Sequence, residues 1–203
     1  IVKNSSDNIL GLINGMIDFY NIDKGTFEME KNEFDLFQKM HDLEDAFLPE
    51  AVKNRVILRV EVDRAIPDKL IGADEKIDQV LSNLIQNALK YTEVGKISVS
   101  AQMVKRQGKK VFVVFRVKDT GAGIPMEKQH LFNNFDRIDL ATIRQFGDTG
   151  ISLAVSKLIV STMGSNLELY SEEGKGSRFS FILPLLLKEI PDDQDLFDTL
   201  VDN

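Results

Sequence analysis

Apolar residues recur along the chain with two different spacings. A spacing of three or four residues predicts helices, whereas alternation of apolar and polar residues predicts strands with one buried face. The helical spacing occurs over residues 1–20, 36–49, 74–91 and 149–163. The alternating pattern predicts strands over residues 56–62, 97–104, 111–117, 167–170 and 177–183, with a further extended stretch over 27–34.

The order of these elements predicts a fold of the α/β class. Helices interleaved with largely antiparallel strands favour a two-layer α/β sandwich, in which one sheet carries helices on one face. A long N-terminal helix, residues 1–20, precedes this domain and needs a partner helix to bury its apolar stripe. We therefore divide the chain into residues 1–25, residues 26–187 and an acidic linker or tail, residues 188–203.

Composition excludes several classes of function. A net charge of −7 argues against nucleic-acid binding, which requires a basic face to neutralise phosphates. The chain has no cysteine, so thiolate metal sites and cysteine nucleophiles are ruled out. No apolar run approaches the roughly 18 residues that cross a bilayer. We therefore expect a cytoplasmic location without direct membrane contact by this chain, and the sequence leaves open whether other segments anchor the parent protein in a membrane.

The helix predicted over residues 74–91 carries a polar face with candidate chemistry. Asn83, Asn87 and Lys90 lie at positions i, i+4 and i+7, away from a wide apolar face. Neutral amide oxygens beside a lysine suit a hydrated Mg²⁺ that carries a polyphosphate, because Mg²⁺ keeps several waters and takes few protein ligands. A plain solvated helix face explains the same three residues equally well.

Glycine-containing segments supply candidate ligand-binding loops. In residues 119–125, Gly121 and Gly123 permit close approach of the backbone to a ligand, and the leading aspartate can accept a hydrogen bond from an exocyclic amine. Residues 147–150 open a helix whose free N–H groups and positive dipole end suit a phosphate. The alternatives are a tight turn in the first segment and simple N-capping in the second. A further segment, residues 174–179, indicates by itself only a hairpin turn.

Five segments occur in a fixed order along the chain. They are an asparagine-bearing box at residues 74–92, a first glycine box at 119–125, a phenylalanine box at 131–137, a second glycine box at 147–157 and a third at 174–179. This set resembles the catalytic ATP-binding domain of sensor histidine kinases, which shares the GHKL superfamily with DNA gyrase, the Hsp90 chaperone and the mismatch-repair ATPases. The resemblance runs from about residue 5 to residue 187. It implies the Bergerat ATP-binding fold, preceded by the second helix of a dimerisation domain.

The resemblance implies roles for individual residues in binding ATP and Mg²⁺. Asn87 would coordinate Mg²⁺, while Asn83 and Lys90 would lie beside the phosphates as the catalytic residues. Tyr91 would line the nucleotide cavity, and Asp119 would bind the adenine amino group. The other nucleotide-binding residues that the resemblance implies are Gly121, Gly123, Ile124, Phe132, Arg144, Thr149, Gly150, Ile151 and Ser177.

The phenylalanine box would anchor one end of a mobile lid. By resemblance, Phe132 and Phe135 hold the lid, residues 136–149, and either Arg137 or Arg144 reaches the γ-phosphate. A phenylalanine more commonly serves as a plain core residue, so both side chains have this alternative role.

The resemblance also implies the reaction and its partners. Such domains transfer the γ-phosphate of Mg·ATP to a histidine, from which it passes to an aspartate of a response-regulator receiver domain, fused or separate. The parent protein would be a homodimer. The acceptor histidine belongs on the first dimerisation helix, whereas this chain has only His41 and His130, which we expect to be ordinary surface or structural residues. The chain by itself is therefore not expected to autophosphorylate.

The second glycine box departs from the family pattern. The family prefers Gly-Thr-Gly-Leu-Gly, whereas this chain has Asp148 at the first glycine and Ser152 at the last. A carboxylate about 4 Å from a phosphate charge would cost on the order of 4 kcal/mol at an effective dielectric constant near 20, before screening by salt. Either Asp148 turns away to cap the helix, or ATP binds weakly.

This departure keeps other functions open. A degenerate pseudokinase that binds ATP weakly, or not at all, would act as a regulatory or protein-interaction module. An ATPase that hydrolyses ATP or phosphorylates serine is a further reading, but Asn83 stands where such ATPases usually carry a catalytic glutamate.

Overall fold

A computed structural model describes residues 29–133 and 148–188, together with positions 17, 20–22, 24, 26 and 27. Positions 17 and 20–22 are helical, but the rest of the predicted N-terminal helix lies outside the described residues. The tail after Lys188 and most of the predicted lid also lie outside them. Among the described residues, no helix combines the length and the apolar character needed to cross a bilayer.

Helices and strands alternate through the described chain. The helices are α1 (Leu36–Lys53), α2 (Asp74–Tyr91), α3 (Met126–Asn133) and α4 (Asp148–Thr162). The strands are β1 (Asn32–Asp35), β2 (Val56–Val62), β3 (Lys69–Gly72), β4 (Gly95–Gln107), β5 (Lys110–Asp119), β6 (Glu168–Glu172) and β7 (Gly176–Leu187).

The seven strands of the described residues form one sheet. Its order is β1-β3-β7-β5-β4-β2. Strand β6 lies outside this order: it pairs with the first half of β7, on the same side of β7 on which β3 pairs with its last two residues. The β2–β4 pair is parallel, whereas the other pairs are antiparallel. The long β4–β5 hairpin turns at Gly108 and Lys109 and places β5 in the middle of the sheet.

The core lies between one face of the sheet and the helices. Phe115 and Phe181 stack at 5.1 Å near its centre. Each fully buried large apolar side chain contributes about 1.5–3 kcal/mol relative to exposure. Helix α2 packs on β4 and β5 through a face of seven buried residues, which are Ile77, Val80, Leu81, Leu84, Ile85, Ala88 and Leu89. The predicted two-layer α/β sandwich is confirmed.

The start of α1 follows from its sequence, but its end does not. The side chain of Asp35 accepts a hydrogen bond from the Gln38 N–H at 3.1 Å, which caps the helix. The sequence predicts that α1 ends near Pro49, yet the helix continues to Lys53 with the proline inside it. Ala51 is completely buried, so packing of the last turn against the core outweighs the hydrogen bond that proline removes.

Two elements were missed by the sequence pattern. Strand β3 is only four residues long, which is too short for alternation to be recognised. Helix α3 lies between residues 117 and 149, where the sequence pattern predicts neither helix nor strand, and its exposed residues Met126, Lys128 and His130 give it no clear apolar stripe. Both short elements nevertheless adjoin structure that matters for the site, because β3 extends the sheet and α3 follows the first glycine box.

Candidate functional site

A cavity of about 170 Å³ opens beside the C-terminal end of α2. It lies where β5 ends and β7 begins, with α4 forming a further wall. Most of the wall is apolar and a few polar groups converge on it, as is usual for small-molecule sites. The described lining residues are Asn87, Ala88, Tyr91, Asp119, Gly123, Ile124, Pro125, Lys128, Leu153, Ser177 and Phe179.

Asp119 is the buried carboxylate of this cavity. It is only 6% exposed, and its Oδ1 accepts hydrogen bonds from the backbone N–H groups of Gly121 at 2.9 Å and Ser177 at 3.2 Å. Burial raises the pKa of Asp119, although the two N–H donors act in the opposite direction. Because both backbone donors meet Oδ1, Oδ2 is the oxygen left to accept a hydrogen bond from a ligand.

The first glycine box is packed so tightly that side chains would not fit. A Cβ atom on Gly121 would overlap the backbone carbonyl of Tyr91, and one on Gly123 would overlap the carbonyl of Glu172. Gly123 also has a φ of +68°, which disfavours residues with a side chain. These glycines therefore let the turn after β5 lie directly against the end of α2 and the β6–β7 hairpin.

A polar cluster centred on Ser171 holds this turn to the hairpin. The Ile124 N–H donates to Ser171 Oγ at 2.8 Å, and the Gln129 side-chain amide donates to the carbonyl oxygens of Ile124 and Ser171 at 2.6 and 3.1 Å. Ser171 Oγ lies 2.9 Å from Ser177 Oγ, so the cluster also reaches the cavity wall. The sequence motifs do not include Ser171 or Gln129, because their role arises from contacts between separate elements.

The polar residues of the asparagine box are divided between two surroundings. Asn87 lines the cavity, one turn before the end of α2. Tyr91 also lines it and is 47% exposed, while the exposed Lys90 holds its ammonium 5.7 Å from the Tyr91 ring centroid. Asn83 is not among the described lining residues and instead donates to Ser156 Oγ on α4 at 3.1 Å.

Phe132 lies in the core rather than in the described lining of the cavity. It is 2% exposed and meets Phe179 edge-on at a centroid distance of 5.8 Å. The Lys157 ammonium donates to the Phe132 carbonyl at 3.0 Å, which ties the end of α3 to α4. Its position agrees with the alternative of a core residue, and its implied role at the lid stays a prediction.

Several implied site residues fall where little or nothing is described. Arg137 and Arg144 lie outside the described residues, as does Phe135. Thr149, Gly150 and Ile151 lie in the first turn of α4, and their side chains are outside the description. Their implied contacts with nucleotide stay predictions.

The structure adds lining residues that sequence reasoning missed. Ala88, Leu153 and Phe179 share the pattern of ordinary core residues, so no sequence signal separates them from the core. Pro125 ends the first glycine box, and its position in that motif could have identified it. Lys128 places a cation at the wall through a helix that the sequence pattern did not reveal.

Comparison with known proteins places this geometry in context. Residues 72–187 match the family model described as histidine kinase-, DNA gyrase B- and HSP90-like ATPase. The signal transduction histidine-protein kinase BarA of Escherichia coli K12 is 29% identical over 185 residues, which are 91% of this chain and 20% of that protein. The sensor histidine kinase RcsC of Salmonella typhimurium is 32% identical over 191 residues, which are 94% of this chain and 20% of that protein. The chain thus spans about a fifth of these relatives.

Solved structures share the architecture. Full-length ShkA in complex with AMPPNP aligns with a TM-score of 0.73 at 23% identity, over 93% of this chain and 38% of that one. The catalytic domain of the histidine kinase ThkA aligns with a TM-score of 0.57 at 28% identity, over 77% of this chain and 96% of that one. The first likeness shows the fold alone, and both agree with the predicted ATP-binding fold.

Proposed function

We propose that this chain, which belongs to the family of histidine kinase-, DNA gyrase B- and HSP90-like ATPases, is the ATP-binding catalytic domain of a two-component sensor histidine kinase. In this proposal the domain binds Mg·ATP and presents the γ-phosphate to a histidine outside the chain. The similarity to histidine kinases over more than nine-tenths of the chain supports the assignment. None of the comparisons supports the pseudokinase alternative.

One observation carries the proposal. Asn87 and Asp119 come from different elements, yet both open into the same cavity. An amide oxygen at one point of the wall and a buried carboxylate at another suit the two unlike ends of a nucleotide. The same wall includes the apolar side chains of Ile124, Leu153 and Phe179, which suit the faces of a flat base.

At the base end, Asp119 acts as a hydrogen-bond acceptor. An ionised carboxylate only accepts, and Oδ2 is the oxygen that the backbone donors leave available. Adenine offers an exocyclic amine as a donor, whereas guanine offers a carbonyl oxygen at the equivalent position, which a carboxylate would repel. We therefore propose that Asp119 selects adenine.

At the phosphate end, Asn87 and Lys90 fit Mg²⁺ and phosphates. The described residues contain no group of three or more His, Cys, Asp and Glu side chains that could hold a metal. A single amide oxygen is a sufficient protein ligand for Mg²⁺, because phosphate oxygens and waters complete its shell. The ion would neutralise phosphate charge when it is bound, and Lys90, which is exposed beside the lining residue Tyr91, would supply a further positive charge.

The partners follow from the same assignment. We propose that the phosphoryl group passes from the histidine to an aspartate of a response-regulator receiver domain, and that the parent protein is a homodimer. His41 is an exposed residue of α1 with its Nε2 3.6 Å from Asp45 Oδ2, so its ring already faces a carboxylate of its own helix. This placement agrees with an ordinary surface histidine.

Calorimetric titration with a non-hydrolysable Mg·ATP analogue tests the proposal. We expect the unsubstituted chain to bind, Asp119→Asn to lose affinity by about tenfold or more because an amide N–H₂ would face the adenine amine, and Asn87→Ala to lose affinity only when Mg²⁺ is present. Gln86→Ala is the matched control, since Gln86 is exposed on the same helix. Equal heats for all four proteins would contradict the site assignment.

A further inference from the structure

A hydrogen-bonded bridge joins α2 to α4 beside the cavity. Asn83 Nδ2 lies 3.1 Å from Ser156 Oγ and 3.4 Å from the carbonyl oxygen of Ser152. Ser156 Oγ is in turn 2.8 Å from that same carbonyl, one turn earlier in α4. Ser156 is completely buried, so its hydroxyl depends on protein partners rather than on bulk water.

The direction of each hydrogen bond follows from the chemistry of the three groups. The Ser152 carbonyl oxygen can only accept, so the single proton of the Ser156 hydroxyl is donated to it. The hydroxyl then uses a lone pair to accept from Asn83. Two acceptors thus face the same end of the Asn83 amide, and this end must be the nitrogen. The orientation of the amide is fixed by its partners.

This orientation limits what Asn83 can do for a nucleotide. Phosphate oxygens are acceptors, so a side chain that binds them directly must donate. The donor end of Asn83 faces α4, and its remaining atom, Oδ1, is itself an acceptor. In this arrangement Asn83 affects phosphates through the elements that it joins, rather than by direct contact.

We propose that Asn83 and Ser156 form a positioning bridge that fixes Asn87 relative to the first turns of α4. Asn87 lies one turn after Asn83 on the same face of α2, and Ser152 lies one turn inside the start of α4. The bridge therefore couples the proposed magnesium ligand to the helix end whose N–H groups would receive phosphates. This inference rests on the proposed function, because it assigns how the same site recognises phosphates.

The inference separates phosphate binding from base binding. The base end is built by β5, the first glycine box and β7, whereas within the described part of the chain the hydrogen bonds of the bridge run only between α2 and α4 and inside α4. Loss of the bridge should therefore weaken binding of Mg·ATP while it leaves binding of adenosine nearly unchanged. A purely structural role for Ser156 would change both affinities together.

The test measures the affinities for Mg·ATP and for adenosine by calorimetry on the whole 203-residue chain. The variants are Ser156→Ala, Asn83→Ala and the double variant, with Thr162→Ala as the control. Thr162 makes the same kind of hydroxyl bond to the carbonyl four residues earlier, at 2.9 Å, but it is exposed and lies six residues after Ser156, in the last turn of α4.

We expect each single variant to bind Mg·ATP about tenfold more weakly and adenosine within about twofold of the unsubstituted chain. The double variant should be no weaker than the more severe single variant, because both changes break one bridge. Asn83→Leu provides a second route if Asn83→Ala does not fold. It keeps the branched shape of the side chain, removes the donor to Ser156 and Ser152 without adding a charge, and should give the same selective loss.

Several results would overturn the bridge. Equal losses for Mg·ATP and adenosine would leave Ser156 with a general structural role, and additive losses in the double variant would show two independent contacts. Full Mg·ATP affinity in Ser156→Ala beside a loss in Asn83→Ala would mean that Asn83 binds phosphate directly. If the unsubstituted chain bound neither ligand, the proposed function would be wrong, and the positioning role would be wrong with it.

Discussion

At the scale of single residues, the site depends on atoms that have no room to move. Gly121 packs against the Tyr91 carbonyl and Gly123 packs against the Glu172 carbonyl, so neighbouring backbone segments fix the conformation of the first glycine box. Asp119 lines the space that this packing leaves. In the proposed function, recognition of a base would depend on this backbone packing as much as on the carboxylate itself.

Adding a methyl group at Gly121 should cause a steric overlap, whereas adding one at Gly108 should cause only backbone strain. Gly121→Ala should lower the free energy of unfolding by more than about 2 kcal/mol, because its Cβ would overlap backbone that cannot rotate away. Gly108→Ala meets nothing within 4 Å but has a φ of +57°, so it should cost only about 1 kcal/mol. Urea unfolding of both variants measures the difference, and equal costs would contradict the packing argument.

The raised pKa of Asp119 makes both binding and stability depend on pH. Protonation of Oδ2 would remove the acceptor for adenine, so affinity for the Mg·ATP analogue should fall as pH decreases, starting above the range of an ordinary aspartate. The unfolded chain ionises more readily than the folded chain, so above the unfolded pKa of 3.8 the buried carboxylate reduces stability. That penalty is relieved as pH falls through the raised pKa.

Asp119→Asn tests whether the ionised carboxylate lowers the free energy of unfolding. The amide oxygen can still accept from Gly121 and Ser177, so the variant should be at least as stable as the unsubstituted chain at pH 7 while it loses nucleotide affinity. The difference in unfolding free energy should shrink as the solution is acidified. A variant that is clearly less stable at pH 7 would show that the ionised carboxylate stabilises the fold.

At the scale of elements, α1 is joined to the asparagine-bearing helix by a charged cluster. Lys39 Nζ lies 2.9 Å from Asp74 Oδ2 and 2.6 Å from Asp78 Oδ2. Burial acts to lower the pKa of Lys39, but its bonds to the two carboxylates outweigh burial and raise it. Burial raises the pKa of Asp78, whose Oδ1 is buried without a hydrogen-bond partner among the described residues. The contact with Lys39 thus offsets only part of the cost of burying the Asp78 carboxylate.

Removal of Lys39 should leave the carboxylates of Asp74 and Asp78 without the cation that they share. Lys39→Ala should destabilise the chain by about 1–2 kcal/mol at pH 7, which is less than for a fully buried pair because the side chains are 14–35% exposed. Glu50→Ala, an exposed change on the same helix, is the control. Urea unfolding at pH 7 measures both, and the loss in Lys39→Ala should diminish in acid as Asp78 becomes protonated. A loss that does not depend on pH would point to packing of the lysine stem instead.

At the scale of the whole molecule, the cavity assembles residues that are distant in the sequence. Asn87, Asp119, Leu153 and Ser177 come from α2, β5, α4 and β7 and meet only when the sheet and the helices have packed. A ligand that binds this cavity binds only the folded chain, and it should therefore stabilise the whole domain.

Mg·ATP should raise the melting temperature of the chain. At about 100 times the dissociation constant, the stabilisation is about 2.7 kcal/mol, which corresponds to roughly 5–10 °C for a domain of this size. Differential scanning calorimetry with and without the nucleotide measures the shift, and EDTA should reduce it by removing Mg²⁺. Asp119→Asn, with its affinity lowered about tenfold or more, should show no more than about half of this shift at the same nucleotide concentration. An equal shift for GTP would contradict the selection of adenine.

The sequence by itself determined the features that depend on local pattern. The bounds of α2 and the alternation along β2 and β5 follow from the faces that those residues must bury, and the glycine positions follow from the close approach of backbone segments. These patterns led to the correct two-layer fold and to a family that the comparisons support. A helix or strand exposes its period within a few residues, so no tertiary information is required.

Only the tertiary structure decided which atoms face one another. Asn83 and Asn87 have the same chemistry and lie on the same face of α2, yet one amide is held by α4 and the other lines the cavity. Phe132 and Phe179 are both buried, and the motifs gave a nucleotide-binding role to Phe132 alone, yet Phe179 lines the cavity whereas Phe132 is not among its described lining residues. Periodicity gives the face of an element, but the partner of each side chain depends on how separate elements pack. That packing is fixed by contacts between residues far apart in the sequence.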